Sequence, residues 1–322
     1  GWLATQQHGD GRFGSSSYPV ADTAAAVLAF ENEGHFPGGG TEYSDEVEAG
    51  LQFMLNYARV TTPASMIQPA GNTDSDGDGR YVSFWDTGIT REVYETGMVM
   101  MALAASNTPD RVQVGGQCDG CTYEEIMDDL VDWAAYGQVD SGSGRGGWRY
   151  FANYSNSDNS TAQWPVLGLI AAEQWGLEAP QFVKDELNIW IDYVQNDVSG
   201  GSGYSSPTTY VNMSKTGGLL VEMYYVGDDC DTTRAEQAVG FLDTHWNDSP
   251  HGAWYGNKGH AYAMFSVYKG LELMEVDAIP NAPANTETAA GDWFGDYSDF
   301  LVNSQNGDGS WTSYYPSYWN SW

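Results

Sequence analysis

Gln305-Asn-Gly-Asp-Gly309-Ser-Trp311 stands near one end of the chain, and Gln7-His-Gly-Asp-Gly11-Arg-Phe13 stands near the other. Both set a Gln four residues before a Gly and an aromatic two residues after it. Shorter copies of the Gly–aromatic part lie between them: Gly79-Arg-Tyr81, Gly146-Gly-Trp148, a degenerate Gly203-Tyr204, and Gly252-Ala-Trp254. The aromatics at 13, 81, 148, 204, 254 and 311 recur every 50 to 68 residues. A period of that length marks a repeat architecture in which each copy is one supersecondary unit.

Hydrophobic periodicity says what the unit is. Amphipathic helical patterns precede the signatures over 44–57, 122–136, 181–195, 233–246 and 292–304. Patterns apolar on most faces follow them over 21–30, 95–105, 161–174, 215–226 and 260–273, as expected of buried helices. Two of the amphipathic helices open on capping boxes, Thr122-x-x-Glu125 and Thr233-x-x-Glu236. Thr recurs where the apolar helices begin (Thr23, Thr96, Thr161, Thr216), with Tyr262 in the fifth copy. The unit is therefore an outer helix, a Gly–aromatic turn and an inner helix. Such units bury their inner faces only by stacking. Six copies, at 1–43, 44–115, 116–179, 180–230, 231–284 and 285–322, predict an all-α (α/α)6 toroid in a single domain. The sixth copy ends without an inner helix.

The two full motifs match the Gln-x3-Gly-x-Trp repeat of the squalene cyclase and protein prenyltransferase superfamily, with Phe13 replacing Trp in the first. The stretch from Gly146-Gly-Trp-Arg-Tyr150 through Thr161-Ala-Gln-Trp164 resembles secreted bacterial proteins that carry these repeats. The resemblance spans essentially the whole chain. It implies the toroid, with Gln and Trp tying an outer helix to the next turn, and it implies no particular reaction. Class II terpenoid cyclases place Asp-x-Asp-Asp-Thr-Ala at an inner-helix start. The nearest match is Pro19-Val-Ala21-Asp22-Thr23-Ala24, where Ala21 takes the proton donor's place. Asp228-Asp-Cys-Asp231 falls at the opposite end of the unit and reads as turn and cap chemistry. The prenyltransferase zinc set of Asp, Cys and His has no counterpart at an inner-helix start.

Charge and composition narrow the partners. With 44 acidic and 12 basic residues the net charge is −32, which argues against nucleic acid and anionic membrane surfaces. No apolar stretch is long enough to span a bilayer. Gly1 follows no readable leader, and Lys-poor acidity suits a secreted protein or a high-salt cytoplasm, with an extracellular or cell-surface location the expectation; the four Asn-x-Ser/Thr sequons are a motif common by chance and decide nothing. Cys118-Asp-Gly-Cys121 reads as a local disulfide or as inert thiols, and Cys230 as a free thiol or an intermolecular bridge. No nucleotide, haem or flavin is expected.

Inner-helix N-termini converge at one mouth of a toroid. Asp22 and Glu95 there are ordinary capping residues or an acid–base pair for a glycoside. His260 with Tyr94 or Tyr262 offers proton abstraction instead. Lys215, Asn159, Trp164, Tyr210, Trp254 and Tyr262 are the candidate ligand contacts, for a glycan or a small apolar ligand. Asn72-Thr-Asp74-Ser-Asp76-Gly-Asp78-Gly79 alternates carboxylates as calcium loops do, with Asp86 as a more distant fourth ligand. The position twelve residues into a full EF-hand loop is Trp85, so the pattern departs from a calcium sensor. Two functions follow: a secreted ligand-binding or assembly domain, alone or with additional domains, or a carbohydrate-active lyase or hydrolase. A terpenoid cyclase-like enzyme is a third.

Overall fold

The computed structural model describes residues 1–14, 18–85, 91–248, 256–284 and 289–312. Ten α-helices run through them: α1 (Pro19–Asn32), α2 (Ser44–Leu55), α3 (Glu92–Ala105), α4 (Tyr123–Gly137), α5 (Gln163–Ala172), α6 (Gln181–Val194), α7 (Met213–Val226), α8 (Thr233–His245), α9 (Ala261–Leu273) and α10 (Trp293–Ser304). Odd-numbered helices are the apolar inner members and even-numbered helices the amphipathic outer ones, as the periodicity predicts.

Among the described residues the chain divides into two compact units, one formed by residues 1–156 and 164–186, the other by 157–163 and 187–312. In the first, α1 packs on α2 and α3. In the second, α7 packs on α8 and α9. The α7–α9 crossing is close because Gly217 and Gly270 face each other: a Cβ on Gly270 would sit 2.5 Å from the Gly217 carbonyl oxygen.

One hydrogen-bond pattern, repeated in both units, joins each turn to its surroundings. Gln7 Nε2 donates to the carbonyls of Gly11 (3.0 Å) and Glu46 (2.8 Å). Gln138 does the same to Gly146 (2.8 Å) and Val183 (3.0 Å), and Gln195 to Gly200 (2.9 Å) and Arg234 (2.8 Å). The second acceptor each time belongs to the first turn of the next outer helix, so the side-chain amide adds a second donor to a carbonyl of the helix ladder. The turn glycine has positive φ in every case: +93° at Gly11, +89° at Gly146 and +79° at Gly200. It is also pressed on that helix. A Cβ would lie 2.3 Å from the Ala49 oxygen at Gly11, and 2.2 Å from the Gln237 oxygen at Gly200.

The recurrent Thr completes the unit. Phe13 N–H donates to Thr23 Oγ1 (2.9 Å), Phe84 N–H to Thr96 Oγ1 (2.9 Å) and Ser202 N–H to Thr216 Oγ1 (3.0 Å). These bonds correct the register in two copies. Phe84, not Tyr81, is the turn residue of the second, and Ser202, not Tyr204, is that of the fourth.

The second copy also contains strands that an all-helical reading omits. β1 (Ala58–Thr61) pairs antiparallel with β4 (Tyr81–Phe84), Ala58 opposite Phe84 and Thr61 opposite Tyr81. Between them β2 (Ile67–Gln68) and β3 (Gly71–Asn72) form a short hairpin. β4 carries the chain to Phe84, so the insertion displaces the signature by one strand. A second correction concerns caps. Thr122 and Glu125 form the expected box, but α8 is capped at Thr232 with no side-chain bond, so the box at Thr233 does not form.

Four tryptophans are fully enclosed: Trp133, Trp148, Trp190 and Trp246. An enclosed indole N–H needs an acceptor. Trp133 reaches Glu92 Oε1 (2.9 Å), Trp148 the Ala134 carbonyl (2.9 Å), Trp190 Asn159 Oδ1 (2.7 Å) and Trp246 Asp296 Oδ2 (2.7 Å). Part of the polar inventory near the inner-helix starts is thus consumed by the core.

Candidate functional site

In the first unit the starts of α1 and α3 hold Asp22, Tyr94 and Glu95. Asp22 is buried under the turn, where a Cβ on Gly14 would meet its Oδ2 at 2.4 Å. Glu95 is 1% exposed. Tyr94 stays half-buried, with its ring 6.3 Å from both Tyr150 and Trp164. Trp164 itself is buried.

Around Tyr94 lies a cluster that the sequence reading did not assemble. Arg91, the residue before α3, sets its guanidinium 5.2 Å from the Tyr150 ring centre and 5.8 Å from that of Tyr18. Arg149 lies 5.0 Å from the Tyr150 ring centre and 5.8 Å from that of Tyr154. Its Nη1 donates to Asn156 Oδ1 at 2.8 Å. Tyr150 and Tyr154 meet edge to face at 6.2 Å. Every member retains some exposure, and Tyr154 is 37% exposed. Cation–π attraction holds the planar groups against one another while leaving edges for a ligand.

The second unit brings together Asp158, Asn159, Lys215, His260 and Tyr262 at the starts of α5, α7 and α9. Several are committed to internal bonds. Asn159 donates to Ser202 Oγ (2.8 Å) and the Lys215 carbonyl (3.2 Å), and accepts from Trp190. Tyr262 donates to the Ser160 carbonyl (2.8 Å) and accepts from Gln163 Nε2 (2.6 Å); burial drives its hydroxyl far above the ordinary range. His260 caps α9 by accepting the Ala263 N–H at Nδ1 (3.2 Å), which places its proton on Nε2. Burial, and then the charge of Lys215, lower the His260 pKa. Asp158 Oδ1 accepts from Ser160 N (2.9 Å), Ser160 Oγ (2.5 Å) and Thr161 N (3.1 Å). Lys215 is 4% exposed, and burial brings its pKa down to about 7 against the opposing pull of Asp158. Tyr210 stands away from these bonds, 66% exposed, with φ +51° and its ring edge-on to Tyr204 at 6.4 Å. Trp254 lies outside the described residues.

The acidic loop before β4 has the donor chemistry of a hard-cation site. One oxygen from each of Asp74, Asp76 and Asp78 lies within 4.8 Å of the others. Each Asp uses Oδ1 to hold the loop: Gly77 N–H donates to Asp74 (2.9 Å), Asp78 N–H to Asp76 (3.0 Å) and Arg80 N–H to Asp78 (3.0 Å). Ser75 anchors the loop on α4, donating from N (3.0 Å) and Oγ (2.5 Å) to Asp132 Oδ1. Arg80 pairs with Asp78 (2.6 Å) and Asp129 (3.0 Å) and offsets part of the charge. Three closely set carboxylates on a Gly turn fit calcium. The fourth expected ligand, Asp86, lies outside the described residues.

Of the two readings of Cys118 and Cys121, a local disulfide or inert thiols, the structure has the free thiols, and Cys230 is a free thiol as well. Burial pushes the Cys118 thiol up to about 12, and a thiol held protonated is a poor partner for exchange. Asp228 and Asp229 serve the turn before α8: Asp228 Oδ2 accepts from Arg234 Nε (2.5 Å), and Asp229 Oδ1 from Asp231 N (3.1 Å).

A scan against protein-family models and a search of curated proteins find no match. Among solved structures, the chain is similar to Candida albicans protein geranylgeranyltransferase-I complexed with GGPP, with a TM-score of 0.52 and 10% identity over 91% of this chain and 77% of that one. The likeness shows the fold. It is the α/α toroid of the prenyltransferases, as the Gln-x3-Gly-x-Trp repeats imply. At that identity the likeness carries neither substrate nor mechanism. Among the described residues no helix is long and apolar enough to cross a membrane.

Proposed function

We propose that the chain is an extracellular or cell-surface α/α-toroid domain that binds a glycan, with the tyrosine–arginine cluster of the first unit as its binding surface. The observation that carries this reading is the placement of Arg91 and Arg149 over the same Tyr150 ring. Tyrosine faces take the C–H faces of pyranose rings, and guanidinium groups take hydroxyls or carboxylates. The commitment of Asn159, Tyr262 and His260 Nδ1 to internal bonds supports binding over turnover. The calcium loop belongs to the same proposal as a structural staple.

Glycan-array screening followed by calorimetric titration tests the reading. Wild-type protein binds saccharides without releasing product, and Tyr154→Ala or Arg149→Ala weakens binding about tenfold or more. Product release with loss of turnover in Glu95→Gln would transfer the site to a carbohydrate-active enzyme. Since the solved neighbour is complexed with GGPP, titration with that isoprenoid is the companion measurement. Isoprenoid binding with an empty glycan array would replace the proposal.

A further inference from the structure

The chain has four lysines, and three of them pair with carboxylates: Lys184 with Glu173 (2.9 Å), Lys258 with Asp296 (2.6 Å) and Lys269 with Glu272 (2.9 Å). Lys215 is built differently. It sits in the first turn of α7, where Asn212 Oδ1 accepts its backbone N–H (3.1 Å). Its carbonyl is held by Asn159, and the residue is 4% exposed. Among the described residues Nζ makes no hydrogen bond or ion pair, and it is not one of the partnerless polar atoms cut off from solvent. The amine therefore retains the small accessible surface that the residue has. The positive end of α7 adds to the cost of charging it.

We propose that Lys215 is a reactive amine that condenses with a small polar aldehyde at the start of α7. This site lies in the second unit and is independent of the glycan surface. The neutral amine donates its lone pair to the carbonyl carbon. The carbonyl oxygen takes up the proton that the nitrogen gives up, forming a carbinolamine. That hydroxyl then takes up a proton and leaves as water while the nitrogen pair closes the C=N bond, and the nitrogen gives up its second proton to restore the balance. Amine and aldehyde become imine and water, and nothing is oxidised or reduced.

Burial lowers the amine's pKa to about 7, so far more of it is neutral at neutral pH than in an ordinary exposed lysine, which is almost wholly protonated. The titratable groups around it are Asp158 at the start of α5, His260 and Tyr262 at the start of α9, and Glu222 two turns along α7 itself. Asp158 favours the ammonium form. His260, with its proton on Nε2, has a lowered pKa, so it adds no strong positive charge. Tyr262 and Glu222 are held in their neutral forms by burial.

Glycolaldehyde with cyanoborohydride traps such an imine as a stable secondary amine that peptide mapping locates. In the full chain at pH 7, Lys215 is modified about tenfold or more faster than Lys184, Lys258 and Lys269, and the advantage shrinks as pH approaches the ordinary lysine range. Asp158→Asn, which removes the group favouring the ammonium, extends the fast labelling to lower pH. Lys215 labelling no faster than the paired lysines, or absent while they react, overturns the proposal. The wild-type map decides this even where the Asp158 variant does not fold.

Discussion

Gln195 donates from its side-chain amide to the backbone carbonyl of Arg234 at 2.8 Å, tying one repeat's turn to the first turn of the next outer helix. The same amide holds Gly200, and Gln195 is 7% exposed. Gln195→Ala therefore strands the Gly200 carbonyl at a place with little water and removes the second donor to Arg234, whose carbonyl stays in the α8 ladder. The loss is about 1–3 kcal/mol. Gln305 holds only the Gly309 carbonyl among the described residues and is exposed; Gln305→Ala costs less than about 1 kcal/mol. Urea unfolding of the two variants measures the difference. Equal losses would deny the glutamine tie any role in stability.

Gly200 and Gly176 separate backbone conformation from close approach. Both have φ near +80°, at +79° and +78°. A Cβ at Gly176 meets nothing within 4 Å, whereas one at Gly200 meets the Gln237 oxygen at 2.2 Å. Gly176→Ala carries only the left-handed penalty of about 1 kcal/mol. Gly200→Ala adds a collision with a helix backbone that cannot rotate away, for a total of about 3 kcal/mol or more. Thermal melts that rank the two variants the other way would reject the pressed-turn geometry.

The helices were legible because two independent signals coincide in them. Apolar periodicity places α4 and α6, and the recurring Thr marks where inner helices begin. The strands were not legible, since Ala58–Thr61 finds its partner only in Tyr81–Phe84, beyond a hairpin and an acidic loop. The turn register failed at Ser202 because the aromatic that defines the motif is absent there. Gln195-x4-Gly200 was the signal that could have found it. Gln138 escaped because a short 3-10 turn, Gly142–Gly144, lengthens its spacing to Gly146. At the candidate site Tyr94, Trp164 and Lys215 were legible as residues of inner-helix starts. Arg91 and Arg149 were not, because a guanidinium stacked on a ring leaves no periodic trace.

Glu31, near the end of α1, is 3% exposed, and among the described residues neither carboxyl oxygen has a hydrogen-bond partner. Burial raises its pKa from 4.5 to about 9. The folded protein then holds a proton that the unfolded chain releases near 4.5. This contribution to stability is complete below that value and is lost as pH rises toward about 9. Glu31→Gln keeps the shape without the ionisation. The variant matches wild type near pH 4 and becomes progressively more stable than it through neutral and mildly alkaline pH. Parallel stability curves across that range would mean that Glu31 ionises normally.

Asp74, Asp76 and Asp78 make opposite demands with and without a cation. Their oxygens within 4.8 Å repel one another when no ion neutralises them, and Ser75, tied to Asp132, keeps the loop from spreading. A bound calcium ion turns that repulsion into shared coordination and stabilises the fold by mass action. Chelation with EDTA therefore lowers the melting temperature of the wild type, and calcium restores it. Magnesium at equal concentration restores less, because it needs a tighter octahedral shell. Asp76→Asn gives the sharper test. Without calcium it relieves one repulsion and melts at or above the wild type; with calcium it loses a ligand and melts below. A variant whose rank does not change between the two buffers would remove calcium from this loop and leave a solvated acidic turn held by Ser75 and Arg80.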